Sequence, residues 1–275
     1  MAEPQFVEAN GLRFAYFSEG DGPLALLLHG FPDTPHTWSH LRPALVARGY
    51  RVVAPFMRGY SPTAIPRRDT DMETLARDVL ALIEAVGEKR ALVIGHDWGA
   101  IAAYGATALG PDRVEKLVTI AIPHPAAWKR RPGRMWAARH FVENKLPGAA
   151  ARFARNDFAA LRALYQRWSP TWDMPPAELD AARACFADRR SLDAAFGYYR
   201  TLPLVTGIAA FLRTKIAVPT IAFSGLDDPM ARPPDYEEAR TMFTGSYVVE
   251  TMPGGHFMHR EHPDELARRL FGHLP

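Results

Sequence analysis

Cysteine is almost absent from this chain of 275 residues; Cys185 is the only one, so no disulfide can form within the chain. Long apolar runs are also missing, which argues against a membrane-spanning helix. Residues 1–5 lack the basic start and apolar run of a secretory signal. Lysine is scarce and the net charge of +3 is spread along the chain, so we expect no nucleic-acid partner. Together these absences predict a cytoplasmic protein with no membrane partner.

Short apolar runs recur through the first half of the chain, at residues 24–28, 51–55, 91–95 and 117–121. Strands that are apolar on both faces belong to parallel sheets covered by helices. Between the second and third runs, residues 74–86 carry apolar side chains at helical spacing, and Gly87 ends the predicted helix. This alternation predicts an α/β domain with a mostly parallel sheet.

The alternation stops near Pro123. The residues that follow are rich in Ala, Arg, Trp and Tyr, with helical spacing that prolines interrupt and no convincing buried strand. Apolar strand and helix patterns then return, at residues 218–223, 246–250 and 264–271. We therefore predict a core domain of residues 1–125 and 213–275, into which a helical cap of residues 126–212 is inserted.

The strongest chemical signal is the sequence GHDWG at residues 95–99, which lies between an apolar run and a helical run. Small residues around a central side chain permit a sharp strand-to-helix turn that exposes a nucleophile. Asp97 stands at the centre, where serine is usual, and the helix that follows favours negative charge there. Asp97 could instead serve only as a helix cap. We favour the nucleophile because the other parts of a hydrolytic site follow in the required order.

An oxyanion hole is predicted at the end of an earlier strand. In the sequence HGFP at residues 29–32, the backbone amide of Phe31 could act together with that of Trp98. We expect His29 to be structural and to hold this loop by hydrogen bonds.

The acid and the base are predicted after later strands. The sequence GLDDP at residues 225–229 offers Asp228, which its spacing favours, with Asp227 as the alternative. His256 follows the last strand, where a general base would lie, and His259 and His262 are expected to be surface histidines. The chain order of nucleophile, acid and histidine is that of a hydrolase elbow.

An aspartate nucleophile restricts the reaction. A carboxylate that attacked an ester or amide would form an anhydride, which is uphill. A carboxylate that attacks an sp³ carbon bearing oxygen or halide forms an alkyl ester, which activated water can hydrolyse. Asp97 therefore favours epoxides or alkyl halides as substrates.

Four segments resemble the epoxide hydrolase branch of the α/β-hydrolase superfamily: HGFP at 29–32, MRGY at 57–60, GHDWGA at 95–100 and GGH at 254–256. The resemblance implies the α/β-hydrolase fold with a helical cap inserted after the sixth strand. It also implies that an epoxide is opened to a vicinal diol through an ester on Asp97, which water activated by His256 then hydrolyses.

Epoxide hydrolases usually supply two tyrosines from the cap to receive the developing alkoxide. Tyr199, in the sequence GYYR at 197–200, matches the second of these. At the position of the first this chain has His140, which is a departure from the pattern, although an imidazole can also donate a hydrogen bond. Tyr165 is an alternative donor, although we expect it to pack, and Tyr198 and Tyr199 could instead be ordinary packing aromatics of the cap.

Two other functions stay open. Haloalkane dehalogenases resemble this chain in placing tryptophan after the aspartate, as Trp98 does here, and they need a second halide donor, for which Trp136, Trp168 and Trp172 are candidates. A non-catalytic protein that binds a small ligand in the same pocket is the third reading. Intact Asp97, Asp228 and His256 count against it.

We expect a small-molecule substrate, an epoxide or alkyl halide, and neither a metal nor an organic cofactor. No cluster of His, Cys and carboxylates has ligand spacing, and no glycine-rich phosphate loop follows a strand. The sequence leaves the oligomeric state open, with a homodimer among the options.

Overall fold

The computed structural model of the protein describes residues 3–127, 139–202 and 209–275. At its centre lies one sheet of eight strands: β1 (Gln5–Ala9), β2 (Leu12–Glu19), β3 (Leu24–Leu28), β4 (Arg51–Pro55), β5 (Ala91–His96), β6 (Val114–Ile120), β7 (Thr220–Gly225) and β8 (Tyr247–Met252). Their order across the sheet is β1-β2-β4-β3-β5-β6-β7-β8. The strands from β4 to β8 along this order run parallel, and β1 and β2 pair antiparallel at one edge.

The predicted α/β domain with a mostly parallel sheet is confirmed. Each predicted apolar run overlaps a strand, and β3, β5 and β7 are buried along their whole length. Alternate residues of β3 point into two different apolar clusters: Leu26 lies in one and Leu27 in the other. Both faces of the sheet are therefore covered, as a parallel sheet requires.

Helices cover the two faces. One side is packed by α1 (Leu41–Val46) and by the last helix of the chain, and the other by α2 (Met72–Ala85) and α3 (Trp98–Leu109). Asp71 immediately precedes helix α2, and its side chain accepts a hydrogen bond from the Thr74 amide. That bond satisfies one of the donors that a helix leaves unpaired at its start.

Between β6 and β7, the described residues form helices and contain no strand. They are α4 (His140–Glu143), α5 (Ala149–Phe153), α6 (Arg155–Trp168), α7 (Asp180–Ala187) and α8 (Arg189–Arg200). After β7 come α9 (Pro233–Ala239), α10 (Met258–Glu261) and α11 (Pro263–Phe271). The five helices α4–α8 lie inside the predicted cap, and we keep its limits of 126–212 as a prediction. Within the described ranges, no helix is long and apolar enough to cross a membrane.

A buried ion pair ties the loop after β4 to α2. The Arg58 guanidinium donates to both carboxylate oxygens of Asp78 at 2.5–2.7 Å, and Asn10 donates to the same carboxylate at 2.7 Å. The Tyr198 hydroxyl donates to the Arg58 carbonyl at 2.6 Å, so this pair also anchors a cap helix. Removing one member of a buried pair leaves the other charge unpaired.

We therefore predict that Asp78→Ala lowers the free energy of unfolding by about 3–5 kcal/mol. The matched control is Glu73→Ala on the same helix, which removes an exposed ion pair with Arg77 and should cost about 0.5 kcal/mol or less. Urea titration of the three proteins measures both changes. Equal losses for the two variants would contradict the structural role given to Asp78.

Candidate active site

Asp97 stands on a strained turn between β5 and α3. Its backbone has φ 52° and ψ −119°, a region that non-glycine residues rarely adopt. Two glycines make the turn sterically feasible: a Cβ at Gly95 would collide with the Gly99 carbonyl, and one at Gly99 with the Leu28 carbonyl. The turn projects the Asp97 side chain toward the loop that follows β3.

A backbone amide of that loop holds the carboxylate. The Phe31 N–H donates to Asp97 Oδ1 at 2.7 Å. A Cβ at Gly30 would collide with the same carboxylate, so only glycine lets the loop approach this closely. The Trp98 amide is the first of α3, where helix N–H groups lack an intrahelical acceptor. The structure thus places the Phe31 amide on the Asp97 carboxylate, and the Trp98 amide follows Asp97 directly in the chain.

His256 lies between two carboxylates. Its Nδ1 is 2.9 Å from Asp228 Oδ2, and its Nε2 is 3.4 Å from Asp97 Oδ2. Asp228 is buried, and its other oxygen accepts from the Met230 amide at 2.7 Å. Asp227, the alternative acid, is exposed, so Asp228 is the aspartate that the fold places against the imidazole.

The charges around His256 determine its protonation. Burial by itself would lower its pKa, but the charge and hydrogen bond of Asp228, with those of Asp97, outweigh burial and raise the pKa to about 10. At neutral pH the imidazole is therefore a cation that is paired on both sides. Asp228 orients the ring and stabilises this cation.

The other predicted histidines divide into buried and exposed. His29 is buried; its Nε2 accepts from the Met57 amide at 2.9 Å and its Nδ1 lies 3.0 Å from the Gly30 carbonyl. Burial lowers its pKa to about 4, so it is neutral and holds the loop as predicted. His262 is exposed, but the prediction for His259 is wrong. His259 is buried because the one-turn helix α10 turns it toward Thr37, whose hydroxyl lies 2.6 Å from its Nε2.

The two predicted cap residues meet above the elbow. The buried ring of Tyr199 packs edge-to-face against Phe31 and Trp98, with centroid distances of 5.4 and 5.2 Å. His140, the first residue of α4, is also buried and packs edge-to-face on Tyr199 at 5.7 Å.

The Tyr199 hydroxyl keeps its proton. Burial raises its pKa well above the ordinary value, the Asp97 charge adds to this rise, and contacts with the Trp98 and Asn144 side chains oppose it. The group is consequently a neutral donor at every working pH. Tyr165, the alternative donor, instead stacks face-to-face on Phe257 with ring centroids 4.1 Å apart.

Trp168 completes the site, and the sequence placed it only among three candidate donors. Its indole packs edge-to-face on His256 at 4.9 Å and on His140 at 4.8 Å. The indole nitrogen is buried and has no hydrogen-bond acceptor in the part of the chain that the structure describes. Trp172 packs beside Phe257, and Trp136 lies outside the described residues. Of the two candidates that the structure describes, Trp168 is the one that packs on His256 and His140.

Residues 23–263 match the family profile of the α/β hydrolase fold. The chain belongs to this family. Epoxide hydrolase A of Mycobacterium tuberculosis is 29% identical over 98% of this α/β hydrolase and 96% of the relative. The crystal structure of epoxide hydrolase A from Mycobacterium thermoresistibile superimposes with a TM-score of 0.81 at 27% identity, covering 100% of this chain and 98% of that one.

An inhibitor-bound epoxide hydrolase from Bacillus megaterium has a TM-score of 0.88 over 98% of this chain and 99% of its own. Its identity of 24% supports the shared fold alone. The resemblance predicted from the motifs is confirmed, and this α/β hydrolase is an enzyme similar to epoxide hydrolases.

The raised pKa of His256 predicts a pH-dependent contribution to stability. The native state binds the proton more tightly than the unfolded chain, so the contribution is fully present below pH 6.5 and is lost as the pH rises to about 10. The difference in unfolding free energy between the wild type and His256→Gln should shrink over this interval, as urea titrations would measure. His262→Gln, at an exposed position, is the control. A constant difference for His256→Gln would show that its imidazole is not charged in the native state.

Proposed function

We propose that this enzyme hydrolyses epoxides to vicinal diols through a covalent ester on Asp97. The proposal rests on one observation: the two oxygens of the Asp97 carboxylate have different neighbours. Oδ1 accepts a hydrogen bond from the Phe31 amide at 2.7 Å, while Oδ2 lies 3.4 Å from His256 Nε2. One oxygen is held where an oxyanion would form, and the other is available to attack carbon.

In the first step, Asp97 Oδ2 attacks an epoxide carbon and the carbon–oxygen bond of the ring breaks. The released oxygen takes a proton from the cap, where Tyr199 is the neutral donor and His140 lies beside it. The product of this step is an alkyl ester of Asp97 with a free hydroxyl on the neighbouring carbon. The attacking oxygen, the substrate carbon and the leaving oxygen need to lie in line. A hydrogen bond from a cap residue to the leaving oxygen can hold the substrate in this arrangement.

In the second step, His256 takes a proton from water, and the water oxygen attacks the Asp97 carbonyl carbon. The Phe31 and Trp98 amides stabilise the oxyanion that forms on Oδ1. His256 gives that proton to the departing diol oxygen, and the Asp97 carboxylic acid that remains gives its own proton to His256, which restores the carboxylate and the resting imidazolium. One water is consumed, and the proton lent by the cap is returned within the cycle.

Esterification of Asp97 lowers the pKa of His256 just before the step in which His256 must act as a base. The Asp97 charge is one of the groups that raise the His256 pKa, and it disappears when the ester forms. The pKa of His256 therefore falls in the alkyl-enzyme, so the imidazolium can give its proton to the cap donor that was deprotonated in the first step and then act as a base. The resting enzyme keeps the nucleophile ionised, and the intermediate frees the base.

Apolar and aromatic side chains surround the reacting groups. Phe31 packs against Phe153 and Phe196 with centroid distances of 5.6 and 5.4 Å. Such a lining excludes bulk water and favours a hydrophobic substituent on the epoxide. A cytoplasmic location remains a prediction from the sequence, which leaves the oligomeric state open with a homodimer among the options.

Halide release from a haloalkane is the second candidate. It is favoured by the buried indole nitrogen of Trp168, which has no hydrogen-bond acceptor among residues 3–127, 139–202 and 209–275 and which with Trp98 could supply two halide donors. Epoxide opening is preferred because Tyr199 and His140 also meet at this point and can donate to an oxygen. Assays of diol and of free halide from a panel of epoxides and haloalkanes separate the two. Thermal stabilisation by a substrate without turnover would favour a ligand-binding protein.

Replacing the base should trap the intermediate. In His256→Gln, alkylation of Asp97 can proceed but hydrolysis of the ester cannot, so intact-protein mass should rise by the mass of the epoxide. Peptide mapping should place the adduct on Asp97. The double variant with Asp97→Asn is the control and should show no adduct. Turnover of Asp97→Ala at a near-normal rate would refute the covalent scheme.

The cap donors should act on the first step. Tyr199→Phe removes a proton donor, and we expect alkylation to slow by ~100-fold, with a further loss when His140→Ala is added. Pre-steady-state accumulation of the alkyl-enzyme measures this rate. Tyr198→Phe is the matched control, because its hydroxyl donates to the Arg58 carbonyl instead. Unchanged alkylation in both Tyr199→Phe and His140→Ala would mean that the donors are misassigned.

A further inference from the structure

The end of cap helix α6 is hydrogen-bonded directly to the backbone around His256. The Trp168 carbonyl accepts from the His256 amide at 2.8 Å. The Ser169 hydroxyl accepts from the next amide, that of Phe257, at 3.0 Å. Ser169 and His256 are both buried, so neither bond is replaced by water when it is lost.

The contact is close-packed as well as hydrogen-bonded. A Cβ at Gly255 would lie 2.5 Å from the Trp168 carbonyl oxygen and from Ser169 Cα, so the two backbones touch here. The Trp168 ring packs on the His256 imidazole at 4.9 Å, and Tyr165, one turn earlier on α6, stacks on Phe257. The cap therefore contacts residues 255–257 through its backbone, a hydroxyl group and aromatic rings.

Polar contacts farther along the cap hold the helix that follows His256. Arg260 pairs with the Glu178 carboxylate, and Thr171 donates to Glu261 at 3.3 Å. Glu261 also accepts a hydrogen bond from the Gly255 amide at 2.8 Å, so it links this helix to the residue before His256. By contrast, the amide that holds the Asp97 carboxylate, Phe31 N–H, belongs to the core.

We propose that Trp168 and Ser169 are positioning residues for His256, through which the docked cap sets the efficiency of ester hydrolysis. Asp228 fixes one ring nitrogen, and the backbone from which the ring projects is held on two sides: its carbonyl lies 2.9 Å from His96 Nε2 of the core, and its amide donates to the Trp168 carbonyl of the cap. A shift of this backbone would move Nε2 relative to the ester while leaving Asp97 and Phe31 in place. The inference rests on the proposed function, because it assumes that His256 activates the hydrolytic water.

Ser169→Ala tests the proposal. It removes the Phe257 bond and should slow decay of the alkyl-enzyme by ~10-fold, while its formation changes by less than about twofold. In steady state, kcat and KM should fall together and kcat/KM should stay nearly constant, because hydrolysis follows alkylation. Ser169→Thr keeps the hydroxyl and should restore most of the decay rate. Thermal unfolding reports whether each variant is folded.

The matched control is Ser191→Ala. Ser191 is an equally buried cap serine that also bonds to the core, but its partners are the Gly59 carbonyl at 2.7 Å and the Ser61 amide at 2.8 Å. The Ser191→Ala variant should be less stable than the wild type but should show no selective change in the rate of ester decay. If Ser169→Ala instead slowed formation and decay equally, or matched Ser191→Ala in kinetics, the positioning role would be overturned. Failure of the proposed function is distinguishable, because then no adduct would appear even in His256→Gln.

Discussion

The proposed chemistry depends on a strained backbone turn, in which Asp97 is held at φ 52° between strand β5 and helix α3. A turn of this kind persists only when surrounding structure over-determines it. Here the surroundings are backbone contacts at Gly95, Gly99 and Gly30, each too close for a side chain. The sheet supplies two of these contacts because β3 and β5 are neighbours. The turn places a carboxylate at the carboxyl end of a parallel sheet, within reach of residues from β7, β8 and the cap.

Charge gives that geometry its chemistry. One imidazole lies between two carboxylates, and the pair of negative charges keeps His256 protonated in the resting state despite its burial. In the proposed mechanism, esterification of Asp97 would remove one of the two charges, so His256 would become a base only after the nucleophile has reacted. Tyr199, with His140 beside it, would donate in the first step, and the backbone contacts at the end of α6 would position His256 for the second. The two proposed steps would thus depend on different helices between β6 and β7.

Much of this could be predicted because its signals are local. Continuous apolar runs mark the buried parallel strands, and the elbow is legible in five consecutive residues. The edge strands β1 and β2 were not predicted, because their mixed polar and apolar residues resemble a loop when read without a partner. The burial of His259 and the contact of Ser169 with the chain after His256 depend on tertiary packing. The latter joins residues 88 positions apart, and no spacing in the sequence reports it.

The central claim is that the substrate is bonded to Asp97 before water enters. A single turnover in H₂¹⁸O with enzyme in excess tests it most directly. We expect the diol to contain no ¹⁸O and the peptide that carries Asp97 to gain one ¹⁸O atom, because water attacks the carbonyl carbon of the ester. Appearance of ¹⁸O in the diol during the first turnover would contradict it, since water would then have attacked the epoxide itself.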